Sequence, residues 1–244
     1  MLKAFAITDV GRKRQLNEDF VCAKTEKVGA MPNFFIIADG MGGHKAGERA
    51  SKETVEIMLD SLSKSENPNL KEDLEDALKA ANLKVFQDAS KSEELEGMGT
   101  TVVAATILGT KLTAMNVGDS RLYVISQGEI RQITMDHSLV EEMVRKGVLP
   151  REKARNHPKK NIITRAVGVS PIVEPDFFEV ELKAGDKVLM CSDGLSNMLE
   201  DEELRGIADS IGSLEEKAKL MIDAANVNGG KDNISVILIE IPAE

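Results

Sequence analysis

Acidic residues stand beside apolar runs at four separated places in this sequence: Glu18-Asp19 in NED, Asp39 in ADGMGGH, Asp193 in CSDG and Asp232 in KDN. Any one alone is an ordinary turn former, because Asp-Gly and Asp-Asn pairs close turns on their own backbone. Carried together to one end of a sheet, they form the donor set that hard cations such as Mg²⁺ and Mn²⁺ take, in near-octahedral shells completed by carbonyls and water. Gly40 follows Asp39 and lacks a side chain, so its carbonyl could approach an ion closely. The three histidines, at 44, 137 and 157, are scattered and lend little support to a zinc site of the imidazole type.

Charge narrows the substrate. The chain has 244 residues and a formal net charge of −10 from 41 acidic and 31 basic residues. Such a field repels nucleic acid, so no nucleic-acid partner is expected. It permits a phosphorylated substrate only where bound cations invert the local field. Cys22 and Cys191 are too few for a disulfide framework and lack zinc or redox spacing. No apolar h-region opens the chain, and no apolar run approaches the roughly 20 residues that span a bilayer. The expectation is a cytoplasmic protein without a membrane partner.

These carboxylates need strands to carry them. Leu2 to Thr8 and Asn33 to Ala38 are β-rich, and the second run, FFIIA, is apolar enough for a strand covered on both faces that stops at Asp39-Gly40. Two amphipathic helices follow, Gly47 to Ser63 and Leu70 to Ser90. From Thr100 the runs TVVAATIL, KLTAMNV, RLYVIS and EIRQIT, parted by turn residues, predict an antiparallel meander. A short helix from about Ser138 to Lys146 leads into a basic, Pro-containing loop, Arg151 to Asn161. Strands are predicted at Phe177 to Leu182, Lys187 to Cys191 and Asn233 to Ile241, and Ser213 with Glu216 makes a capping box before the last helix. Strands in runs with helices in pairs point to an α+β fold with packed antiparallel sheets. Composition, 42% hydrophobic and 30% charged, and the lack of a linker point to one domain, 1–244.

TDVGRKRQLNEDF, FIIADGMGGHKAGERAS, GMGTTVVAATI, NVGDSRLYVI, TMDHSLV, ITRAVG, LMCSDGLSNML and GGKDNISVILIEI, in that order over essentially the whole chain, closely resemble the motif series of the metal-dependent type-2C protein phosphatases, in particular the compact bacterial ones. The resemblance implies an αββα sandwich of two antiparallel sheets flanked by helix pairs, with a binuclear Mn²⁺ or Mg²⁺ centre in a cleft at one end. Carried over, Asp39 would bridge the ions, Gly40 would offer its carbonyl, Asp193 and Asp232 would complete one ion, and Glu18 with Asp19 would serve the other directly or through water. Asp119 with Asp193 would hold a weak third ion. Arg14 would grip the substrate phosphate, and Asn233 would support the last metal aspartate.

The implied activity is hydrolysis of phosphoserine and phosphothreonine in proteins by a hydroxide bridging the metals, by a monomer that opposes a serine/threonine kinase and counts it among its substrates. Arg14, Asp39, Asp193 and Asp232 would be the catalytic set. Met41 stands where eukaryotic members have a histidine, which leaves His44 as a candidate for lining the cleft or for protonating the leaving group. The segment of about 145–163 corresponds to a variable flap, and its basic residues either form a solvated face or collect phosphopeptides. Two other readings share these residues: a catalytically silent regulatory relative, and another metal-dependent phosphomonoesterase.

Overall fold

The computed structural model describes residues 2–42, 46–91, 93–95 and 97–242. Its strands are β1 (Lys3–Asp9), β2 (Asp19–Lys24), β3 (Phe34–Met41), β4 (Gly99–Thr100), β5 (Val102–Leu108), β6 (Lys111–Val117), β7 (Arg121–Ser126), β8 (Glu129–Gln132), β9 (Asp176–Glu181), β10 (Lys187–Cys191) and β11 (Ile234–Glu240). Its helices are α1 (Ala46–Lys64), α2 (Leu70–Ala89), α3 (Leu139–Arg145), α4 (Arg151–Ala154), α5 (Asp193–Ser196), α6 (Asp201–Asp209) and α7 (Leu214–Val227).

Two antiparallel sheets result, one ordered β1-β11-β10-β7-β8 and the other β2-β3-β5-β6-β9, with β4 added to β3. The unbroken apolar run of β3 follows from its position between two cores. Phe35 and Ile37 meet Leu122, Val188, Met190 and Ile237 between the sheets. Phe34, Ile36 and Ala38 face the other way, onto Val55, Met58 and Leu62 of α1 and Leu74 and Leu78 of α2. On the far side Leu189, Val236 and Leu238 pack beneath Leu204 of α6 and Ala218, Met221 and Ala225 of α7. This is the expected α+β sandwich with a helix pair on each face. No helix among the described residues is long and apolar enough to cross a membrane.

Three expectations about elements change. β3 does not stop at Asp39; it runs on to Met41, because Gly40 and Met41 pair with Thr100 and Gly99 of β4. Asp39 therefore sits inside a strand, opposite Asp19 of β2. The four runs after Thr100 are not one meander. β5 pairs β6 and β7 pairs β8, but the two hairpins lie in different sheets, and the chain crosses between them at Gly118-Asp119-Ser120. Gly118 has φ +109°, and a Cβ there would lie 2.6 Å from Thr101 Cβ, so this corner takes glycine on both counts. The basic stretch read as a loop contains the one-turn helix α4. α7 begins as expected: Glu216 N donates to Ser213 Oγ at 3.2 Å and Ser213 N donates to Glu216 Oε2 at 2.8 Å.

Candidate metal centre

Antiparallel pairing gathers the acidic residues. Asp19 opens β2 where β3 carries Asp39, and Asp193 follows β10 where β11 is preceded by Asp232. The two sheets are joined here through Asp19, whose Oδ2 accepts from Ser192 Oγ at 2.8 Å and from Ser235 Oγ at 2.6 Å. Its other oxygen, Oδ1, is buried with no hydrogen-bond partner. A buried carboxylate oxygen without a donor is costly, and fixing Oδ2 leaves Oδ1 free for a cation.

Glu18 is placed by close backbone approach. Gly40 N donates to Glu18 O at 3.0 Å, and a Cβ on Gly40 would lie 2.5 Å from that carbonyl and 2.1 Å from Gly47 O. Gly47, in the first turn of α1, leaves room for Glu18 Oε1, which a Cβ there would meet at 2.4 Å. Glu18 Oε1 is the second buried carboxylate oxygen of the site with no partner. Asn233 ties this loop to the start of β11. Its Oδ1 accepts from Glu18 N at 2.8 Å, and its Nδ2 donates to Val10 O and Leu16 O.

Asp39 is held through its backbone. Its amide donates to Thr101 Oγ1 at 3.0 Å and its carbonyl accepts from Thr100 Oγ1 at 2.9 Å. Thr101 Oγ1 is also 2.8 Å from Ser120 Oγ, which links the Asp39 strand to the corner carrying Asp119. Asp193 Oδ2 accepts from Asn197 Nδ2 at 2.9 Å, and Lys160 Nζ reaches Asn197 Oδ1 at 2.9 Å. Gly194 lets this turn press onto β11, since a Cβ there would lie 1.9 Å from Asn233 O. Asp232 Oδ2 accepts from Arg14 Nη2 at 2.9 Å, and Arg14 Nη1 lies 3.4 Å from Glu18 Oε2.

Burial is the first reason that Asp19, Asp39, Asp119 and Asp193 hold their protons more tightly than free carboxyls. Asp39 is raised well above the usual range by burial and then by Asp19, Asp193, Asp119 and Asp232. Asp119 is raised by burial and Asp193, and Asp193 by burial and Asp232. Asp19 is raised by burial against the lowering effect of its two serine donors. Concentrated buried negative charge of this kind is relieved by cations. Among the described residues no three acidic, histidine or cysteine side chains close on one ion position. The donors are spread along the cleft, so carbonyls and water would fill much of any ion's shell.

Asp119 and Asp193 share a cavity of about 570 Å³ with Lys160, Asn197, Arg151 and Arg155. Much of the basic charge entering it is already matched. Arg151 pairs with Glu141 at 2.5 and 2.8 Å, and Arg155 pairs with Glu200 at 2.7 Å. His44 lies outside the described residues. Met41 packs its Cε where a Cβ on Gly99 would meet it at 2.8 Å. Sequence reasoning missed Ser192, Ser235 and Asn197. Only the adjacency of Ser192 to Asp193, and a polar residue breaking the apolar run of β11 at Ser235, marked two of them.

The sequence profile described as protein phosphatase 2C matches residues 11–235. The serine/threonine phosphatase Stp of Listeria welshimeri is 42% identical over 242 residues, covering 96% of this chain and 93% of that protein. The chain belongs to the protein phosphatase 2C family. Among solved members, the serine/threonine phosphatase of S. agalactiae superposes on this protein phosphatase 2C with a TM-score of 0.92 at 37% identity, covering 99% of this chain and 100% of that one. The catalytic domain of the phosphatase PstP, solved in complex with two manganese ions, gives 0.87 at 34% identity, covering 99% and 98%. The family resemblance and the sandwich expected from the sequence are both borne out.

Proposed function

We propose that this protein phosphatase 2C hydrolyses phosphoserine and phosphothreonine in proteins at the carboxylate end of its sandwich, with two Mn²⁺ or Mg²⁺ ions as cofactors. The carrying observation is that two buried carboxylate oxygens, Glu18 Oε1 and Asp19 Oδ1, have no hydrogen-bond partner, the first in room left by the missing side chain of Gly47. These donors fit hard cations. Asp39, the Gly40 carbonyl, Asp193 and Asp232 would hold the ions with Glu18 and Asp19, and Asn233 would keep the Glu18 and Asp232 loops in register. Asp119, in one cavity with Asp193, would help to hold a weaker third ion. Two such ions bring activation of a water for in-line attack on phosphorus and neutralisation of the phosphate charge.

The chain's own residues orient the substrate. Arg14 sits at the mouth with its guanidinium on Asp232 and Glu18, within reach of a phosphate placed over the carboxylates. Its fork matches two equatorial phosphate oxygens. His44 is the candidate proton donor to the departing serine or threonine oxygen. We read 1–244 as one catalytic domain with a flap at about 145–163, working as a cytoplasmic monomer on phosphoproteins that include a serine/threonine kinase.

The test is turnover of a phosphothreonine peptide before and after chelation. Chelated enzyme should be inactive and Mn²⁺ should restore it. Full activity in excess chelator would remove the metal mechanism.

A further inference from the structure

His137 lies outside the carboxylate cluster yet grips the corner that presents Asp119. Its Nδ1 accepts a hydrogen bond from Gly118 N at 3.0 Å, and its own amide donates to Gly118 O at 2.9 Å. A ring nitrogen that accepts carries no proton, so the neutral ring bears its hydrogen on Nε2. Nε2 is buried 3.2 Å from Asp176 Oδ2, off the line of a well-aligned hydrogen bond, and Arg165 holds Asp176 at 2.8 Å. Burial lowers the proton affinity of the imidazole, against the pull of Asp176, in keeping with the neutral ring.

The corner depends on such outside support. Gly118, at φ +109°, is the residue type with the most backbone freedom. Asp119 is 7% exposed, and no side chain of another described residue donates to its carboxylate, so its position is set by the backbone of the corner. Ser120 is pinned by Thr101 on one side. On the other, Gly118 is pinned by His137 and by Asn116 Nδ2, which donates to Gly118 O at 3.1 Å. His137 also closes the base of the segment that follows it. Its carbonyl accepts from Thr164 N at 2.8 Å, and Ser138 bridges to Ile163.

We infer that His137 is a positioning residue: its neutral imidazole fixes the Gly118-Asp119 corner against the base of the 138–163 segment, and its effect on turnover passes through Asp119. The inference rests on the proposed role of Asp119 and adds the residue that sets it.

The test is a double-mutant cycle on phosphothreonine-peptide hydrolysis over a range of Mn²⁺ concentrations. His137→Phe removes the acceptor and should lower kcat about tenfold, as loss of a supporting contact around a metal site does. KM for the peptide should hold, and half-activation should move to higher Mn²⁺. His137→Asn, whose Oδ1 can take the place of Nδ1, should recover most of the loss. In an Asp119→Ala background, His137→Phe should have no further effect. Equal losses in both backgrounds, or His137→Asn no better than His137→Phe, would overturn the inference.

The two readings fail differently. A slow Asp119→Ala with a fully active His137→Phe removes only the role of His137, whereas a fully active Asp119→Ala removes the role of Asp119 and the inference with it. Nitrogen-15 NMR of the wild-type imidazole supplies a readout independent of folding in the variants. A protonated Nδ1 at neutral pH would contradict the assignment.

Discussion

At the scale of single residues, the carboxylate cluster gives the two oxygens of one carboxylate different surroundings. Two serine hydroxyls saturate Asp19 Oδ2, and nothing meets Oδ1. Asp232 is divided likewise, with Oδ1 taking the Asn233 amide and Oδ2 taking Arg14. Arg14 lies at the exposed rim, where the loss of its guanidinium leaves the buried donors in place. Arg14→Ala should therefore weaken phosphate binding rather than the chemistry that follows. Orthophosphate inhibition should weaken by about tenfold, the scale of one charge-assisted hydrogen bond, with a parallel rise in KM for phosphopeptide. Inhibition constants for wild type and variant measure this, and unchanged inhibition would put Arg14 outside the phosphate site.

At the scale of elements, α1 sets how closely Glu18 approaches β3, and α1 is held to the end of α2 by charge as well as by its apolar face. Asp88 of α2 is 0% exposed, covered by the cationic heads of Arg49 of α1 and of Lys84 and Lys91 rather than by apolar protein. Hydrogen bonds from Lys84 and Lys91 hold its carboxyl far below the usual range. The sign follows from linkage. A depressed folded-state value stabilises the protein above the unfolded value of about 4, and that stability is lost as pH falls toward the folded value. Asp88→Asn should cost about 1 kcal/mol at pH 7, the modest figure reflecting partners that are solvent-screened. Urea unfolding at pH 7 and pH 3 should show the gap between wild type and variant narrowing in acid. A gap that stays constant would mean that Asp88 acts by packing alone.

At the scale of the whole molecule, an acidic protein gathers the carboxylates of its candidate metal centre at one end of its sandwich, the place we propose for phosphate. The sandwich and the gathering of the carboxylates were largely legible in the sequence, because Asp19, Asp193 and Asp232 adjoin strand ends, Asp39 follows an apolar run, and FFIIA has the composition of a strand covered on both faces. What was not legible depends on partners distant in the chain. Ser192 and Ser235 become donors to Asp19 only when β10 and β11 pair beneath β2, and a turn such as Gly118-Asp119-Ser120 reads the same whether the chain folds back or crosses to the other sheet. Helix α5, four residues long, is too short to show a helical period. The continuation of β3 through Asp39 required β4, a two-residue partner with no pattern of its own.

The central claim, that this carboxylate end would hold two metal ions with Asp39 among the residues that bind them, is tested most directly by calorimetric titration of the metal-free protein with Mn²⁺. The account predicts two ions bound per chain by wild type, with any third site filling only at higher concentration, and loss of the paired binding in Asp39→Asn while the fold is kept. A wild-type protein that binds no Mn²⁺, or an Asp39→Asn variant that binds two ions as wild type does, would contradict it.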